Sequence, residues 1–230
     1  MKNKIVYGLL ILSSIFLVSG CGMQGGNSSF IKAEQKSYAE IAEILKKYEI
    51  DGVTEELINE FEASASEIPP EIELNKTAML LSALGCGDYN YTEGTWQPYS
   101  NGVYSFDVEV YDVEKMYTNF LLGVSALDKD ELDFKNIQED TGGVNWDEGT
   151  GKRTVTFEWK GKTFGLQAEA MYDWFDMNVA KALNDIIIEY GNDKRLFCTD
   201  DGYQECIIFY RDKDWANAFQ KDTGLVLSEL

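Results

Sequence analysis

Apolar positions along this chain recur first with helical spacing and only later with strand alternation. Between Phe30 and Tyr48, the residues Ala39, Ile41, Ala42, Ile44, Leu45 and Tyr48 fall on one face with Lys and Glu between them. That spacing predicts an amphipathic helix ending near Asp51-Gly52. Thr54 caps a second helix, acidic in its first turn at Glu55 and Glu56 and apolar at Leu57, Ile58 and Phe61. Pro69-Pro70 breaks the chain, after which Asn75 caps a short apolar helix through Leu84, stopped by Gly85.

The pattern then changes. Gly85 to Gly102 combines glycines, Pro98 and Asn101 with Tyr89, Tyr91, Trp96 and Tyr99, and reads as an ordered loop. Val103 to Tyr111 alternates as a half-buried strand, and Val113 to Leu127 returns to helical period through Met116, Tyr117, Phe120, Leu121 and Val124. Lys152 to Ala170 reads as a hairpin turning at Lys160-Gly161. This register sets Val155 opposite Leu166, Phe157 opposite Phe164 and Trp159 opposite Lys162. A helix follows over Asn178 to Tyr190, stopped by Gly191. A second hairpin spans Leu196 to Tyr210 and turns at Asp200-Asp201-Gly202; a last helix, Asp212 to Asp222, is stopped by Gly224.

After the all-helical start the order reads β-α-β-β-β-α-β-β-α. This predicts an α+β fold with an antiparallel or mixed sheet and helices packed mainly on one face. The division follows: a segment 1–20, a tether 21–30, a helical region 31–85 and an α+β domain 86–230. Composition agrees with a folded chain, since 44 % of the 230 residues are apolar and Phe, Tyr and Trp are plentiful.

Residues 1–20 are set apart by their own pattern. Lys2 and Lys4 precede an apolar run from Ile5 to Val18, too short to span a bilayer, which needs about 20 residues. The run ends in Leu17-Val18-Ser19-Gly20-Cys21. This resembles the lipobox of bacterial lipoproteins, and the resemblance implies cleavage before Cys21 and lipidation of that cysteine. Two or more acyl chains on one residue give stable anchoring, each buried methylene adding about 0.8 kcal/mol. Gly22 to Ser29 then reads as a flexible linker. The expected location is extracytoplasmic, lipid-anchored to the cell membrane.

Charge narrows the partners. The chain carries 40 Asp and Glu against 20 Lys and Arg, a net −20, and becomes more acidic once Lys2 and Lys4 leave. Phosphate backbones repel such a surface, so no nucleic-acid partner is expected. Histidine is absent, which removes His-dependent triads, HExxH metalloproteases and most zinc hydrolase sites.

Few constellations remain. Cys198 and Cys206 flank a hairpin turn at an even separation that places them on one sheet face, so a disulfide is one reading and two buried thiols the other. Gly85-Cys86-Gly87 lacks the strand-to-helix context of a phosphate loop. Asp128 to Asp133 spaces its acids as a calcium loop does, yet Leu132 stands where an oxygen ligand is required. At the junction of hairpin and helix, Tyr172, Asp173, Trp174 and Asp176 mix aromatics with carboxylates as carbohydrate sites do. The competing reading has Trp174 or Phe175 plug the core while Asp176 caps the helix.

The pattern favours a non-catalytic binding module facing a small-molecule or protein ligand on the outer surface, without catalytic residues, metal or cofactor. One alternative is a carboxylate-dependent enzyme acting on envelope glycans, for which Asp173, Asp176, Glu169 and Glu158 are the first acids to test. Another is a protective protein binding a basic toxin or envelope partner.

Overall fold

The computed structural model describes residues 36–69 and 74–230. The predicted signal segment, Cys21 and the predicted tether lie outside the described residues, as does Pro70. The class is α+β, with nine strands in three antiparallel sheets and six α-helices among the described residues.

Helix α1 (Tyr38–Lys47) begins with a capping box in which Ser37 and Glu40 satisfy each other's backbone N–H groups. Thr54 caps α2 (Glu55–Glu67) by accepting from Leu57 N, and Asn75 caps α3 (Lys76–Gly85) by accepting from Ala78 N. The segment read as a loop contains a small hairpin, β1 (Asp88–Asn90) with β2 (Thr95–Gln97). Three-residue strands are too short to show alternation; their turn is set by Asn90 Oδ1, which accepts from Thr92 N and Glu93 N.

Strand β3 (Tyr104–Asp107) is shorter than the alternation suggests, because Asp107 Oδ1 accepts from Glu109 N at 2.8 Å and bends the chain. A 3-10 turn at Val113–Lys115 leads into α4 (Met116–Ala126). Strand β4 (Lys135–Asn145) occupies residues to which the apolar pattern assigns no position; it is polar, half exposed and interrupted by two register shifts. Strands β5 (Thr150–Trp159) and β6 (Lys162–Glu169) pair in the register expected, Val155 with Leu166, Phe157 with Phe164 and Trp159 with Lys162. Helix α5 (Met177–Tyr190), hairpin β7 (Arg195–Asp200) and β8 (Glu205–Arg211), helix α6 (Lys213–Thr223) and β9 (Ser228–Glu229) complete the chain.

The strand orders are β3-β8-β7-β9 and β4-β5-β6. Helices α4 and α5 share one apolar core with β5, β6 and one face of the four-stranded sheet, through Tyr117, Phe120, Val179 and Leu183 against Phe157, Leu166, Leu196 and Ile208. Its other face carries Phe197, Ile207 and Phe209 and packs with α1, α3 and α6. Strand β8 therefore reads Cys206-Ile207-Ile208-Phe209-Tyr210, buried throughout, as a strand covered on both faces must. The three-stranded sheet has helices on one face only, so its strands keep the alternation.

Candidate functional site

The junction singled out in the sequence folds into a closed arrangement. Asp176 is the N-cap of α5: Oδ1 accepts from Asn178 N at 3.0 Å and Asn178 Nδ2 at 2.9 Å. Its Oδ2 accepts from Glu169 N at 3.0 Å, and its own N–H donates to Tyr117 Oη at 3.1 Å. Phe175 plugs the core beside Phe106, Tyr117 and Phe120. Asp176 is 6 % exposed, whereas Tyr172 and Trp174 are 62 % and 43 % exposed, so the four candidates do not converge on one pocket. Of the remaining acids, Glu169 meets Lys152 and Glu158 accepts from Asn136, while the half-buried Asp173 accepts from Val110 N through its backbone carbonyl.

Behind this junction lies an ion pair that the hydrophobic pattern concealed. Arg153 shares the apolar face of β5 with Val155, Phe157 and Trp159 and is 2 % exposed. Its Nη1 donates to Val113 O and, at 3.2 Å, to Glu139 Oε1. The guanidinium sits 5.8 Å from the Tyr117 ring centroid and 5.1 Å from that of Trp146. Glu139 Oε2 accepts from Thr118 N and Oγ1 in the first turn of α4, at 2.9 and 3.0 Å. Anion and helix N-terminus suit each other there. An arginine in register with a strand's apolar residues was the available signal.

The open counterpart is a cleft of about 300 Å³ along β3, an edge strand of the four-stranded sheet. Its walls are Tyr89, Trp96, Tyr104, Phe106 and Tyr111, and its acids are Asp107, Glu109, Asp112 and Glu205. Two glycines make it. A Cβ on Gly85 would come within 2.6 Å of Ser105 N, and one on Gly87 within 2.7 Å of the Trp96 ring. The Gly85-Cys86-Gly87 segment thus lets α3 approach β3 and lets Trp96 fold over, its Nε1 donating to Cys86 O at 2.9 Å.

Strand register puts Glu205 directly opposite Asp107. Directly opposed residues hold Cβ atoms roughly 4.5–5.5 Å apart, and like charges there repel. Burial pushes the Glu205 carboxyl up to about 7, with the charges of Asp201 and Asp107 adding to the rise and the Ser82 and Ser105 hydroxyls opposing it. Burial also raises Asp107, against the hydrogen bond from Glu109 N. Glu205 Oε2 is buried without a hydrogen-bond partner. Sequence reasoning missed Glu205, since an acid three residues past Gly202 looks like ordinary turn chemistry.

The described thiols differ. Burial lifts Cys86 to about 11, leaving almost no thiolate at neutral pH. Cys198 and Cys206 are free thiols on one face of the β7–β8 hairpin, Cys198 opposite Ile208 and Cys206 opposite Asp200. Their mutual hydrogen bond lowers Cys198 and raises Cys206. The Asp128 segment turns on itself: Asp128 accepts from Glu131 N and pairs with Lys194 at 2.9 Å. Among the described residues no cluster of three or more acids or cysteines is placed to hold a metal ion, and no helix is long and apolar enough to cross a membrane. Compared with protein-family models, curated proteins and solved structures, the chain matches none.

Proposed function

We propose that this chain is a membrane-anchored extracytoplasmic lipoprotein whose folded part is a non-catalytic binding module, with the β3 cleft as its ligand site. The cleft carries the binding half: five aromatic walls and a few convergent polar groups are what a small-molecule site requires. The thiol that lines it, Cys86, is lifted by burial to about 11, and the chain has no histidine. The anchoring half rests on Lys2, Lys4, the apolar run and Leu17-Val18-Ser19-Gly20-Cys21.

Anchoring is tested by Cys21→Ser, which should abolish incorporation of labelled palmitate and move the chain from the membrane to the soluble fraction. Binding is tested by melting the chain against saccharides, wall peptides, amino acids and divalent ions. A ligand specific to the native state raises the midpoint, by RT ln(1 + [L]/Kd) in free energy. If no compound moves the midpoint, a protein partner becomes the better reading.

One observation favours a second reading, a carboxylate-dependent enzyme acting on glycans. Glu205, held near 7 opposite Asp107, has the protonation a general acid needs at neutral pH. Release of reducing ends from wall glycan by the unmodified chain, lost in Glu205→Gln, would replace the binding reading with this one.

A further inference from the structure

We propose that the β3 cleft recognises an organic cation, a small protonated amine, held between aromatic faces and the carboxylates of Asp107 and Glu205. This deepens the reading of the cleft as a ligand site and rests on it. Four acids line the cleft and no Lys or Arg does, so an anion meets only repulsion. The faces of Tyr and Trp attract cations through their negative quadrupole, more strongly where water is excluded.

Hydrogen-bonding capacity points the same way. The Ser105 hydroxyl is spent on Ser82 O at 2.8 Å and Trp96 Nε1 on Cys86 O. Asn119 Nδ2 points to Asp112 at 3.4 Å. Apart from tyrosine hydroxyls and the second Asn119 N–H, the walls offer mainly acceptors, and the buried Glu205 Oε2 lacks a donor. A sugar needs donors and acceptors in mixture, whereas an ammonium supplies donors only. A bare metal ion is the poorer fit, because it wants a cage of oxygens and the walls here are carbon. The volume suits a small molecule at the lower end of the usual range.

The test is titration calorimetry of the purified chain at about pH 8, above the Glu205 value of about 7, with putrescine as the protonated amine, choline as a cation without N–H donors and N-acetylglucosamine as the neutral probe. Tryptophan fluorescence is followed in parallel, with Trp96→Phe assigning the response to the cleft. Putrescine should bind, more tightly than choline, and Glu205→Gln should weaken it about tenfold, as loss of a charge-assisted hydrogen bond does. Asp107→Asn, at the rim of the same pair, gives a second variant should the first fold poorly. Binding of the saccharide or of choline alone, or putrescine binding unchanged in both variants, would overturn the amine assignment and leave the cleft a ligand site. Silence toward all three probes, with no Trp96 response, would overturn both readings.

Discussion

Two regions of this molecule set carboxylates among aromatic rings, and they treat the acids in opposite ways. At the closed junction, Asp176 and Glu139 spend their oxygens on backbone N–H groups, a threonine hydroxyl and a buried arginine. In the β3 cleft, Glu205 faces Asp107, keeps one buried oxygen unpartnered and retains its proton to about neutral pH. The junction also holds a cation, Arg153, whereas the cleft lining holds none. What separates the two sets of carboxylates is whether their oxygens find donors inside the fold, because an unmet buried acceptor costs free energy that a ligand can return. Arg153 Nη2 is itself left without a hydrogen-bond partner.

The sharpest attempt to break this contrast is Arg153→Ala. It leaves Glu139 buried without its cation and should cost about 3–5 kcal/mol in urea unfolding. A loss below about 1 kcal/mol would mean that the closed junction is not held by its ion pair.

Glu205→Gln probes the cleft and should act in the other direction. The folded value near 7 lies above the ordinary value of 4.5, so the folded state keeps a proton that the unfolded chain releases. The associated stability is complete below about pH 4.5, declines as pH rises and is gone above about pH 7. Glutamine cannot ionise. The variant should therefore match the unmodified chain near pH 4 and exceed it by up to about 3 kcal/mol near pH 8. Paired melts across that range read the difference, and a constant offset would refute burial as its cause.

Asp176→Ala removes an N-cap together with the acceptor for Glu169 N, and should lower stability by about 2 kcal/mol, with Asp176→Asn losing less. Thermal melting at one pH suffices. Trp96→Phe keeps the aromatic wall and deletes one hydrogen bond to Cys86 O, an expected loss of about 1 kcal/mol by the same measurement. Its mildness would show that the cleft wall tolerates change in a way the closed junction does not.

How much of this was legible in the sequence depended on the range of the interaction. The β5–β6 register followed from a two-residue turn and the alternation on either side, both local. Helix limits followed from Thr54, Asn75, Asp212, Gly191 and Gly224, again local. Strand β4 is the third strand that the element order counts between α4 and α5, but the pattern does not locate its residues, because its polar, bulged run has no apolar face to announce it. Of the acids at the predicted junction, Asp176 took the capping role that its place before α5 allowed, and the cleft went unnoticed.

By itself the sequence determined the α+β class, the main helices and hairpins, and the N-terminal pattern that motivates the membrane-anchor proposal. Only tertiary structure decided that β3 would lie beside β8, bringing Asp107 against Glu205 across a long stretch of chain, and that α4 would hide Arg153 and Glu139. The reason is physical: propensity, caps and side-chain alternation act within a few residues, whereas the pairing of distant strands and the partnering of buried polar atoms arise only when the whole core closes.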